Sequence, residues 1–296
     1  MLFASGLMAL AVRFVPPGDA AFSRRGDVDV AGALSLTAGM LVVVFGVVRL
    51  PDVGWEQSVA TLIGGLVLLG VFAVIERRSP SPLVRLGILR SGPLLRANLG
   101  ALMFVGSFVG FQFIAVLYLQ ELRGWSALST GLALMVAGID AVIAPTVTPL
   151  LVRRFGSSRV VLGGMVVAVA AYALFLGLDA DWSYAMMLPT LILIGIAFAL
   201  AYGPLTIAAT DGIEEADQGL AGGLFNASVQ FGAALVLAIV TAVSVVATGD
   251  RKSDAALLEG YRAALWVPLI GAIVAVAVTG RRRERGSRRH TVLDER

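Results

Sequence analysis

The 296-residue chain has no cysteine and a single histidine, His290, near its charged end. Without thiols there is no disulfide, no cysteine nucleophile and no Cys-ligated metal. No Walker-type Gly-Lys-Ser/Thr loop, no G-x-S-x-G elbow and no His/carboxylate cluster at metal spacing occurs, which excludes an ATPase within this chain and leaves enzyme chemistry without a catalytic group. No catalytic residue, metal or cofactor is expected. Charge is scarce as well: 15% of residues are Asp, Glu, Lys or Arg, against 58% hydrophobic. The mean hydropathy of +0.88 is well above what a soluble domain tolerates on a surface facing water. The net charge of +3 does not imply a nucleic-acid partner, because the basic residues lie in short segments between apolar runs and report topology. The expected partner is the lipid bilayer.

What the sequence has instead is runs of about twenty apolar residues, the length that crosses a bilayer as a helix. Eight complete spans fall at 29–50, 57–76, 97–119, 128–151, 159–178, 184–208, 219–247 and 261–280. They lack the dyad alternation of a membrane barrel, so the expected class is all-α integral membrane. A ninth apolar stretch, Met1 to Phe14, is too short to span and has neither the basic start nor the cleavage site of a signal peptide, so it reads as the last part of a helix. Loop lengths then divide the chain. Residues 1–26 are a helix remnant with a loop, 27–76 a two-helix insert, 77–96 a linker, 97–280 a six-helix bundle and 281–296 a basic tail.

If the segment before the first full span is cytoplasmic, eighteen of the 23 Lys and Arg residues fall on the cytoplasmic side. That bias predicts a multi-pass protein of the cell membrane with both ends in the cytoplasm. The acidic loop TDGIEEADQG (210–219) falls on the same side, but the rule counts Lys and Arg and gives acids little weight.

Four segments carry a resemblance. The stretch LYLQELRGWSALSTGLAL (117–134) resembles the YLQ and SAL region of the 14-helix drug:proton antiporter branch of the major facilitator superfamily. TPLLVRRFGSSRVVLGG (148–164) is similar to that family's cytoplasmic loop repeat, with Arg153, Arg154, Gly156 and Arg159 at the motif positions and Arg153 standing where the repeat usually carries an acid. DQGLAGGLFNASVQFGAALVLAI (217–239) is similar to its fifth-helix motif, and SGLMALAVRFVPP followed by DVAGALSLTAGMLVVVFGV to the end of its sixth helix and its seventh. The resemblance implies that 27–76 is the branch's central insert and that 97–280 is the C-terminal half of the transporter fold. It also implies that a six-helix N-terminal half, holding the other half of a site at the interface, is a missing partner.

Asp140 sits near the middle of the 128–151 run. An ionised carboxylate at mid-bilayer costs about 2.5–3.5 kcal/mol on insertion scales, so it is expected to face the bundle interior or a water-filled cavity. Two readings stay open: a proton or cation site, or a carboxyl hydrogen-bonded to a neighbouring helix. Pro145 and Pro149 are expected to kink the helix beside it. In the family fold the first and fourth helices of the half line the cavity, which makes Gln112 and Tyr202 the candidates for substrate contact. Asn226 and Gln230 on the fifth are further cavity candidates, with interhelical hydrogen bonding as the alternative. Tyr118, Trp125, Trp182 and Trp266 read as interfacial belt residues. Gly106/Gly110 and Gly219/Gly223 have the spacing for close helix packing.

The resemblance implies a secondary transporter that exports drugs or other small amphipathic organic compounds in exchange for protons, by alternating access, with the proton gradient as its energy source. The alternative is a truncated or split membrane protein that does not transport and packs against another permease half.

Overall fold

The computed structural model describes residues 30–78, 92–211, 213–249 and 253–280. The helix remnant (1–26), most of the 77–96 linker and the basic tail (281–296) lie outside the described residues. Among the described residues every regular element is helical, and eight helices are long and apolar enough to cross a membrane.

Helices α1 (Val30–Val48) and α2 (Leu50–Arg78) form a hairpin turned at Arg49 alone. The apolar runs at 29–50 and 57–76 leave a loop between them, yet α2 already begins at Leu50. Pro51 falls in the first turn, where its missing N–H has no intrahelical partner to lose, and Asp52 sits at the positive end of the helix dipole. Arg77 and Arg78 extend the other end, so the helix outruns the expected boundary at 76. The hairpin rests through α1 on α9 (Glu215–Thr248).

The bundle is organised around α3 (Gly92–Leu117), which packs against α8 (Tyr184–Thr210), α9 and α10 (Asp254–Gly280). Gly106 and Gly110 meet Val236 and Val240 of α9, while Gly219 and Gly223 meet nothing among the described residues. The largest fully buried side chains are aromatic, and among them Phe111 lies edge-on to Phe175 of α7 (Ser157–Phe175) at 4.9 Å between ring centres. Helix α10 starts at Asp254 rather than at 261. Ser253 Oγ accepts from the Ala256 N–H and Asp254 occupies the first turn, so cap chemistry starts the helix two turns before the apolar run.

The second helix of the bundle is not the single span read at 128–151. It comprises α4 (Ala127–Leu134), a 3₁₀ turn (Met135–Ile139), α5 (Asp140–Thr146) and α6 (Thr148–Phe155). The break at Val147 lies between Pro145 and Pro149, as two missing N–H donors require, and Thr148 Oγ1 turns instead to the Ala199 carbonyl of α8 at 3.1 Å. The 3₁₀ turn has another cause: it is pressed on α8 at Gly195, which has no side chain to hold the Ala137 carbonyl away.

At one end of the bundle α3 finishes in a π turn, Tyr118–Leu122. Tyr118 is no belt residue: it is fully buried and donates to the Asp179 carbonyl at 2.6 Å. Arg123 donates to the carbonyls of Ala180 (2.5 Å) and Trp182 (2.9 Å), and Arg262 of α10 to that of Leu178 (2.6 Å). Tyr261 donates to Glu121 at 2.8 Å. Two basic residues of the arginine-poor side are thus occupied by the α7–α8 loop.

Candidate functional site

A cleft of about 760 Å³ opens between α3, the broken second helix and α8. From α3 it takes Phe108, Gln112 and Val116, and from the π turn that continues it Gln120, one above another at four-residue spacing; α8 contributes Phe198. The remaining wall is α4 and the 3₁₀ turn, ending at Asp140. Asp140 is the one charged residue lining it, half-buried, and its carboxylate makes no hydrogen bond or ion pair to another described residue. Its place follows from the backbone: it is the first residue after the 3₁₀ turn, in the stretch held against α8.

The expected site residues divide. Asp140 and Gln112 line the cleft together. Tyr202 stands behind the wall, stacked on Phe198 at 4.9 Å and 17° between planes, so it supports an aromatic face that also includes Phe108, 4.9 Å from Phe198. Asn226 and Gln230 are exposed on α9, do not line this cleft, and make no hydrogen bond to another described residue. Arg153, Arg154, Gly156 and Arg159 gather at the arginine-rich end, about 20 Å along the helices from Asp140. Gly156 joins α6 to α7 with φ 84° and ψ 149°, a conformation that costs a residue with a Cβ about 1–3 kcal/mol. The three arginines are exposed, with the Arg154 guanidinium 5.4 Å from the Phe155 ring centre.

Two polar lining residues were not among the site residues expected from the sequence. Gln120 lies in the π turn beside Glu121 and Arg123, where the apolar run has ended. Thr130 follows the Ser126 cap and looks like a helix start, but its hydroxyl is buried with no partner among the described residues. Among the described residues no group of acids or histidine is placed to hold a metal.

A family model for the Major Facilitator Superfamily matches residues 2–237. The chain is similar to the tetracenomycin C resistance and export protein of Streptomyces glaucescens, 28% identical over 84% of this chain and 47% of that protein. It is 31% identical to the cephamycin export protein CmcT of Amycolatopsis lactamdurans over 86% of this chain and 53% of that one. With the puromycin resistance protein pur8 of Streptomyces alboniger the identity is 28%, over 84% and 50%. Among solved structures, the nucleoside transporter NupG gives a TM-score of 0.47 at 14% identity, over 83% of this chain and 64% of that one. The chain spans about half the length of the curated relatives it matches. With the family match running through the hairpin and most of the bundle, this chain belongs to the major facilitator superfamily, a family of membrane transporters rather than enzymes.

Proposed function

We propose that this chain is the C-terminal part of a 14-helix drug:proton antiporter of the cell membrane, exporting small amphipathic organic compounds. The observation that carries the reading is the cleft: an apolar and aromatic wall with two amides and a single carboxylate, Asp140, left without a partner among the described residues. Aromatic faces take the flat apolar body of a ligand, and a carboxylate in low dielectric takes either a cation or a proton. Exchange of the two at one group couples export to the proton gradient. The relatives' names, which speak of export of or resistance to tetracenomycin C, cephamycin and puromycin, support the same direction of transport.

The cleft is open on one side, and large apolar residues of the broken helix, Leu128, Leu132, Met135 and Val142, are exposed. A six-helix N-terminal half covering this side completes an alternating-access pair. The two-helix hairpin beside α9 supports the 14-helix branch.

The test is Asp140→Asn in this chain joined to its N-terminal half, with export of tetraphenylphosphonium measured in energised cells. Loss of proton-driven export with normal insertion is expected. Undiminished export would make Asp140 a packing residue, and absence of export by the unsubstituted, joined protein would favour a chain that only packs against another permease.

A further inference from the structure

The end of the cleft away from Asp140 is polar in a different way. Gln120 reaches it from the π turn at the end of α3 and Thr130 from α4, the turn and α4 being joined by the short segment 123–126. Neither side chain is charged. Thr130 is 2% exposed and its hydroxyl oxygen is without a partner among the described residues, although it belongs to the cleft wall. A buried hydroxyl with no partner, set just behind the surface of a cleft wall, is a place where a ligand's polar group gains more than it would in water once a rotation of the side chain brings the hydroxyl to that surface.

The backbone keeps Gln120 on this wall by a specific device. Four residues of an α-helix overshoot one turn by about 40°, so the row Phe108, Gln112, Val116 would carry its next member off the cleft. The π turn, with its Arg123 N–H bonded to the Tyr118 carbonyl at 3.0 Å, winds less per residue and returns Gln120 to the row. Tyr118 and Arg123, bonded to carbonyls of the α7–α8 loop, hold the turn in place.

We propose that Gln120 and Thr130 form a second, uncharged subsite that takes a hydroxyl or amide group of the substrate while Asp140 takes its cationic end. The proposal rests on the export reading above. Ten residues of α and 3₁₀ helix separate Thr130 from Asp140, about 15–20 Å, so the preferred substrate is elongated and polar at both ends, with an aromatic or aliphatic middle against Phe108 and Phe198. Tyr118 and Arg123 are positioning residues for the subsite.

The experiment compares two exported probes in cells carrying this chain joined to its N-terminal half. Puromycin is a cation with hydroxyl and amide groups; tetraphenylphosphonium is a cation with none. Gln120→Ala and Thr130→Val are expected to lower the ratio of puromycin to tetraphenylphosphonium export by roughly two- to tenfold, the worth of one hydrogen bond. Arg123→Gln lowers the same ratio through the π turn, and Thr130→Ser restores it. A ratio unchanged in both Gln120→Ala and Thr130→Val overturns the subsite even where Asp140→Asn abolishes export of both probes. Full export of both probes by Asp140→Asn instead overturns the cleft reading on which the subsite rests.

Discussion

Replacing Gly195 with alanine puts a methyl group where the fold has made room for a backbone carbonyl. The new Cβ would fall onto the Ala137 oxygen and within 2.5 Å of Ile139 Cγ2. The first obstacle is backbone and the second a β-branched side chain with little rotamer freedom, so the 3₁₀ turn itself must move by a few tenths of an ångström or more. Overpacking of this kind costs about 1–3 kcal/mol, and the better helix propensity of alanine returns roughly 0.5–1 kcal/mol, leaving a net loss of about 0–2.5 kcal/mol. Gly163 of α7 is the control, since a Cβ there meets nothing within 4 Å and only the propensity gain applies. Thermal unfolding of the purified protein should therefore place Gly195→Ala several degrees below Gly163→Ala. Ala137 and Asp140 share the cleft wall, so under the proposed function export by the chain joined to its N-terminal half should fall as well. Equal unfolding temperatures for the two variants would refute the claim that contact with Gly195 shapes the turn.

Two further outcomes are expected. Arg262→Ala removes a charge-assisted bond to the Leu178 carbonyl together with a 3.4 Å ion pair to Asp179, whose side chain is 63% exposed, and should cost about 1–3 kcal/mol in thermal or denaturant unfolding, whereas Asp179→Asn, which loses the ion pair but keeps an oxygen for the Ala180 N–H, should cost under about 1 kcal/mol; equal losses for the two variants would make the ion pair rather than the carbonyl bond the important contact. Because the chain has no native cysteine, single substitutions report orientation directly. Ser183→Cys should react with a membrane-impermeant maleimide on intact cells while Ser158→Cys reacts only after permeabilisation, and the reverse pattern would invert the arginine-based topology.

The spans were legible because length and hydropathy alone decide them: each of the eight runs read from the sequence overlaps a helical stretch long and apolar enough to cross a membrane, the second of the bundle in broken form. Their ends were less so. Helix α10 starts in AALLEGYR, a stretch too polar for a hydropathy window but well capped by Ser253. Asp140 and Gln112 were visible as polar letters in apolar text, and both reach the cleft. Asn226 and Gln230 were equally visible and do not, because sequence marks polarity within a span and not the face on which it lies. Pro145 and Pro149 announced one break; MVAGI announced nothing, since the cause of its 3₁₀ turn is a glycine on another helix. Gln120 stays in the row only through a π turn, which no local residue pattern advertises.

The broken second helix is fastened at both tips, to α7 at one and to the loop after α7 at the other. At the arginine-rich tip a single residue, Gly156, separates α6 from α7, leaving no slack in the joint. At the other, Arg123, just ahead of α4, is bonded to the loop that joins α7 to α8. A rod held this way does not swing as a rigid lever. It behaves like a strung bow, and displacement is taken up in its middle, at the 3₁₀ turn and the two prolines, which is the stretch that carries Asp140.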